Sequence, residues 1–260
     1  MLKVDNLTKV YPDGTRALQD VSFTVNDGEF LIIIGLSGSG KSTLLRCINR
    51  LVDPTSGTIT WNGKDVTAAN INELRLIRRE IGMIFQHFNL VKRLSVQQNV
   101  LSGRLGYVKP GLALLNRFPV EDHKRATRVM ERVDIAQLAR KRADELSGGQ
   151  QQRVGIARVL MQDPKIILAD EPVSALDPVL AHNILQHLEK LNQDGVTIIC
   201  SLHYLDLVQR YATRVIGLRD GKIVYRGTRE EIRSMTDSEF QEIYGEEAVR
   251  IETGRSVSGG

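Results

Sequence analysis

The stretch Gly35-Leu36-Ser37-Gly38-Ser39-Gly40-Lys41-Ser42 constrains the chain more than any other. It follows the pattern G-x-x-x-x-G-K-[ST], and its flanks are those the pattern requires. Phe30–Ile34 before it is a continuous apolar run, as expected of a strand buried on both faces. After it, from about Lys41, the residues Leu44, Leu45, Ile48 and Leu51 fall at i, i+1, i+4 and i+7, one apolar face of a helix. A strand, a glycine-rich turn and a helix make a phosphate cradle. The glycines let successive backbone N–H groups turn inward. The helix N-terminus adds a partial positive charge. Lys41 supplies a point charge for β- and γ-phosphates, and the Ser42 hydroxyl is a hard ligand suited to Mg²⁺. Gly35, Ser37, Gly38, Ser39, Gly40, Lys41, Ser42 and Thr43 are therefore the candidate nucleotide contacts.

The pattern around this cradle predicts an α/β fold with a mainly parallel sheet. Leu2–Asn6 and Ala17–Val25 read as strands joined through the turn Pro12-Asp13-Gly14, an antiparallel β region. Thr58–Trp61 reads as a short strand with Asn62-Gly63 as its turn. Strand-like runs return at Ile166–Ala169 and Val196–Cys200, with a helix over about Pro178–Leu191 between them. Arg214–Leu218 and Lys222–Arg226 flank Asp220-Gly221, a hairpin signal. Thr228-x-x-Glu231 and Thr236-x-x-Glu239 are capping boxes that start two short helices. From about 88 to 158 the texture is helical: Ala126, Val129, Met130 and Val133 keep helical spacing, and a second helix is expected over about Gln151–Met161. Gly103–Pro119 reads as a surface loop. The expected division is an α/β core of about 1–87 and 159–245, a helical subdomain of about 88–158, and a short polar tail at 246–260.

Bulk properties exclude several classes. Net charge is +4 over 260 residues, without a run of five like charges, so nucleic acid is not an expected partner. Cys47 and Cys200 each sit in an apolar run, which predicts buried free thiols rather than a disulfide. Met1-Leu2-Lys3-Val4-Asp5-Asn6 carries no basic-then-apolar leader pattern. The longest aliphatic runs fall far short of the ~18–20 residues needed to span a bilayer, so any membrane role is expected to come through a partner.

Two further constellations carry chemistry. Ile166-Ile167-Leu168-Ala169-Asp170-Glu171 is an apolar strand ending in two carboxylates. Neighbours on a strand point to opposite sides, so the two acids can take different tasks. Asp170 is the candidate for the Mg²⁺ shell and Glu171 for the residue that polarises the attacking water. Leu146-Ser147-Gly148-Gly149-Gln150 puts small residues at a helix start, a second anion site in one chain. That is economical if the second site serves an ATP held by another subunit.

This second motif resembles the signature sequence of the ABC transporter ATPases. The resemblance covers about residues 1–230, and no core motif position departs from the family pattern. It implies a P-loop NTPase (RecA-like) core with an antiparallel β subdomain and an inserted α-helical subdomain. It also implies that Tyr11 stacks on adenine, and that Gln86 senses Mg²⁺ and links to the membrane subunit. Ser174-Ala175-Leu176-Asp177 would cross a dimer interface, and His203 would contact the γ-phosphate. The implied partners are a second copy of the chain, transmembrane permease subunits and, indirectly, a substrate-binding protein. The implied ligands are ATP and Mg²⁺, and the implied location is the cytoplasmic face of the membrane. Leu45–Leu51, Ile81–Val91 and Gly103–Tyr107 look like the phosphonate/phosphite importer ATPases. Other solutes such as amino acids stay open, as does a non-transport ABC ATPase. A P-loop kinase would leave the second anion site unexplained.

Overall fold

A computed structural model describes residues 1–108, 111, 117–174 and 176–244. The expected tail at 246–260, residues 109, 110 and 112–116 of the expected loop, and Ala175 lie outside these residues. The chain forms two compact units: Met1–Ala68 with the segment from Ile199 onward, and Ala69–Ile198.

In the first unit, β1 (Leu2–Val10) pairs antiparallel with β2 (Arg16–Val25) and with β4 (Ser56–Trp61). A tight turn at Asn62-Gly63, both at positive φ, returns β4 into the two-residue β5 (Lys64–Asp65). Both residues of this turn need the left-handed region, which is why Asn-Gly marks such hairpins. Leu2, Val4 and Leu7 of β1 and Leu18, Val21 and Val25 of β2 are buried, so one face of this sheet makes core. β3 (Phe30–Ile34) is buried at every position and pairs parallel with β9 (Arg214–Arg219), Leu31 opposite Arg214 and Ile34 opposite Gly217. β10 (Lys222–Thr228) returns antiparallel on β9 through Asp220-Gly221. Each fully buried leucine or isoleucine contributes about 1.5–3 kcal/mol relative to exposure.

Between β3 and β4 runs α1 (Lys41–Ile48), which buries Leu44, Leu45 and Ile48. Leu51, expected on the same face, is half exposed instead. The helix stops before it, because Arg50 turns into the left-handed region at φ 53°.

In the second unit, α2 (Ile71–Glu80) leads into β6 (Ile81–Ile84), which pairs parallel with β7 (Ile166–Ala169). The helices between them are α3 (Val96–Leu101), α4 (Val120–Arg132) and α5 (Gly148–Leu160). They pack on one another, and α5 packs on β6. The predicted face of α4 buries Ala126 and Met130, with Val133 buried just beyond it. α6 (Pro178–Gln193) follows β7. β8 (Thr197–Ser201) starts in the second unit and ends in the first.

Three short helices complete the described chain: α7 (Leu205–Tyr211), α8 (Arg229–Arg233) and α9 (Asp237–Tyr244). Both predicted capping boxes form at the starts of α8 and α9. No described helix is long and apolar enough to cross a membrane.

Two expectations need correction. α5 begins at Gly148, not near Gln151. The Ser147 side chain accepts from Gln150 N, and the Gln150 side chain accepts from Ser147 N at 3.1 Å, a reciprocal cap that starts the helix early. Gly103 is buried in a 3₁₀ turn rather than lying on a surface loop. A Cβ there would stand 2.1 Å from the Arg158 carbonyl oxygen, so only glycine admits this approach.

Both cysteines are free and buried. Burial pushes the Cys47 thiol up to about 12. At pH 8 that leaves about one thiolate in ten thousand, and thiolate is the reactive form. The expected outcome with Ellman's reagent is no reaction in the native chain and two equivalents in denaturant. A fast native equivalent would show that this burial is wrong.

Candidate functional site

The phosphate-type loop lies in the first unit, between β3 and α1. Its conformation depends on glycine at two positions. Gly35 has φ 144°, and a Cβ on it would lie 2.2 Å from the Leu218 carbonyl oxygen. Gly40, the N-cap of α1, has φ 106°, and a Cβ there would lie 2.4 Å from the Ala17 carbonyl oxygen. Ser39 is buttressed from β9–β10: Gly221 N donates to its carbonyl at 3.1 Å. Lys41 is 3% exposed, and its Nζ donates to the carbonyls of Gly35 and Leu36, each at 2.8 Å. The ammonium thus closes the loop on itself. α1 carries no acidic residue in its first turn, so its N-terminal partial charge is not offset there.

Two observations test whether the loop fits a phosphate ligand. Ser39 Oγ is buried with no protein partner, a donor held in reserve. Gly38 and Gly40, both at positive φ, leave the loop without side chains on either side of Ser39. The donor set fits.

Tyr11 follows β1 and is half-buried. Its hydroxyl lies 3.3 Å from Thr43 Oγ1, and Lys9 Nζ sits 5.1 Å from its ring centroid. The ring therefore stands beside the start of α1, with a cation already near it. Half-buried His203 lies just beyond β8. Leu202 N donates to Ile33 O at 3.1 Å, which ties His203 to the end of the strand that feeds the loop.

The acidic pair lies in the second unit. Asp170 is fully buried, and its N–H donates to Ile84 O at 2.9 Å, extending the β6–β7 ladder. Glu171 departs from the strand into the left-handed region at φ 45°. A glutamate there costs of order 1–3 kcal/mol, and such outliers cluster at functional sites. Gln86, just beyond β6, donates from Nε2 to Glu171 Oε2 at 3.1 Å and lies 3.5 Å from Ser174 Oγ. Two predicted site residues 85 positions apart are thus brought together. With its nitrogen so engaged, Gln86 keeps its amide oxygen as acceptor.

At Ser147–Gln150 the structure gives two side chains a local task, the capping box, and leaves the glycine backbone to any ligand. Close packing holds this turn: a Cβ on Gly149 would lie 2.9 Å from Leu180 Cδ1. α5, too, lacks an acidic residue in its first turn. Asp177 caps α6, its carboxylate accepting from Val179 N and Leu180 N at 3.0 Å each. The sequence singled it out for an interface, and the cap is a role that reasoning missed, although Asp before Pro178 is a helix-start signal.

A glycine-lined cradle on a strand-to-helix turn, within an α/β fold, defines the P-loop nucleotide hydrolases. Residues 18–174 match the family described as ABC transporter. The chain is 52% identical over 253 residues to the phosphonates import ATP-binding protein PhnC of Bacillus thuringiensis subsp. konkukian, covering 97% of each. It is 50% identical over 246 residues to the phosphonates import ATP-binding protein PhnC 3 of Halalkalibacterium halodurans, covering 94% of each. A dimeric ATP-binding cassette in a post-hydrolysis state with ADP and Pi superposes with a TM-score of 0.79 at 37% identity, over 88% of this chain and 99% of that one. The chain belongs to the ABC transporter family, as an ATP-hydrolysing cassette.

Proposed function

We propose that the chain powers import of phosphonates or related phosphorus oxyanions through a membrane permease, at the cytoplasmic face of the membrane. The names of its relatives support this reading. So does the Gln86–Glu171 pair, the observation in the chain's own geometry that carries the hydrolytic assignment furthest.

In this reading the loop from Gly35 to Thr43 holds the ATP phosphates with backbone N–H groups, Ser37, Ser39 and the Lys41 ammonium. Tyr11 receives the adenine. Glu171 accepts a proton from the attacking water, and Gln86 and His203 orient the water and the γ-phosphate. Mg²⁺ would be held by Ser42, Asp170 and the Gln86 amide oxygen, and would neutralise charge on the phosphates. These are hard oxygen donors, the set this cation prefers, completed by substrate phosphate. Among the described residues no group of three or more His, Cys, Asp or Glu forms a separate metal cage.

Ser147, Gly148, Gly149 and Gln150 of one copy close on the ATP of a second copy, and Asp177 lies at that junction. ATP then favours a closed pair and hydrolysis releases it. Closure moves a groove near Gln86–Val100 and hence the permease, which a substrate-binding protein loads from the other side.

The test is ATP turnover by the complex of this chain with its native membrane partners in liposomes. A binding protein loaded with methylphosphonate or phosphite is expected to stimulate turnover. Stimulation by an amino-acid-loaded binding protein instead would overturn the substrate assignment. Absence of any membrane partner would overturn import.

A further inference from the structure

The α5 helix carries a half-buried cation that no catalytic assignment uses. The Arg158 guanidinium donates from Nη1 to Asn89 O at 2.6 Å and from Nη2 to Phe88 O at 3.1 Å. Its hydrogen-bond partners among the described residues are these two backbone carbonyls, and burial lowers its pKa with no acidic neighbour to oppose the shift. Drawing a charge partly out of water with no counter-ion carries a cost, and an apolar side chain of equal size would pack without it. What the guanidinium adds is a bidentate grip on one short backbone segment.

That segment begins two residues after Gln86. Asn89, one of the gripped residues, holds the left-handed conformation at φ 49°, so the chain bends sharply where the grip falls. Phe88 reaches the other end of α5 as well. A Cβ placed on Gly148 would lie 3.7 Å from Phe88 Cζ, so the ring packs on the first turn of the helix. The Phe88 carbonyl faces Gly155, where a Cβ would stand 3.9 Å away. Phe88 and Asn89 are thus fastened to α5 at both ends, by ring packing at Gly148 and by two charge-assisted hydrogen bonds at Arg158.

We infer that Arg158 is a positioning residue that makes the Gln86–Asn89 segment and the Ser147–Gly149 turn move as one body. The inference rests on the function proposed above. A change in how Gln86 meets Glu171 shifts Phe88 and Asn89, and through Arg158 it shifts α5 and the glycine turn at its head. Arg158 touches neither nucleotide nor water in this scheme. Its loss should leave ATP binding intact and uncouple the two motifs.

The experiment uses the full chain with three variants: Arg158→Met, Gln86→Ala and the double. Mant-ATP binding and kcat are measured for each. Arg158→Met is expected to bind mant-ATP within about twofold of the parent and to lose at least tenfold in kcat. The double variant is expected to be no more than about twofold slower than the slower single, because both act in one unit. Arg158→Lys, which keeps the charge but not the fork, is expected to recover little, and it serves as the second variant if Arg158→Met does not fold. Parent-like kcat in Arg158→Met, or losses that multiply in the double variant, would overturn the link and leave the ATPase assignment standing. Parent-like kcat in Gln86→Ala would overturn the site assignment, and the link with it.

Discussion

Glu171→Gln is expected to lower ATP turnover by about 10²–10⁴-fold while ATP binding stays within a few-fold of the parent. The carboxamide has the size of the carboxylate and still offers an oxygen to the Gln86 amide, whose Nε2 now donates to Glu171 Oε2 at 3.1 Å. What it loses is the ability to take a proton from water. The backbone supports the assignment independently. Glu171 is held at φ 45° at the end of an otherwise regular strand, and a conformation that costs free energy persists only where the surroundings enforce it. Single-turnover hydrolysis and nucleotide binding, measured on the same preparation, separate the two quantities. Equal losses in binding and turnover would mean that Glu171 supports the fold of the site rather than its chemistry.

Lys41→Ala is expected to act on the other quantity. The ammonium is buried at 3% exposure and bonded to two loop carbonyls, so it serves both the loop and the ligand. Removing it leaves the Gly35 and Leu36 carbonyls without their donor and deletes the point charge facing the phosphates. Truncating one partner of a buried, hydrogen-bonded charge pair costs about 2–5 kcal/mol. For ATP that is a Kd raised by roughly 30-fold or more. Mant-ATP titration checks it. Binding within threefold of the parent would place the phosphates elsewhere. Together the two variants split the site: one binds without turning over, and the other barely binds.

The parts of this chain legible in sequence are those whose physics is local. The Gly35–Ser42 loop needs residues of special conformation at fixed offsets, and it sits between a fully apolar strand and an amphipathic helix. The Asp220-Gly221 and Asn62-Gly63 hairpins and the two capping boxes are local in the same sense. The start of α5 was legible in principle, because Ser147-x-x-Gln150 is itself a capping pattern. Two glycines of low helix propensity hid it. The end of α1 was harder: nothing at Arg50 announces a left-handed residue, and Leu51 keeps the apolar spacing although the helix has already stopped. Gly103 looked like loop because its reason for being glycine is the Arg158 carbonyl, far away in sequence. Nothing in the local sequence marks Arg158 as more than one helix charge among others. Its partners are 69 and 70 residues away, and periodicity carries no information at that range.

The central claim is that the glycine turn at Ser147–Gly149 serves a nucleotide held by another copy. The most direct measurement is the mass of Glu171→Gln by light scattering, with and without Mg-ATP. Without nucleotide the expected mass is that of one chain, 29.1 kDa. With saturating Mg-ATP it is expected to double, with two ATP retained per pair, and Gly149→Val is expected to abolish the doubling without abolishing ATP binding. A chain that binds ATP fully and keeps its single-chain mass at every concentration tested would contradict the account.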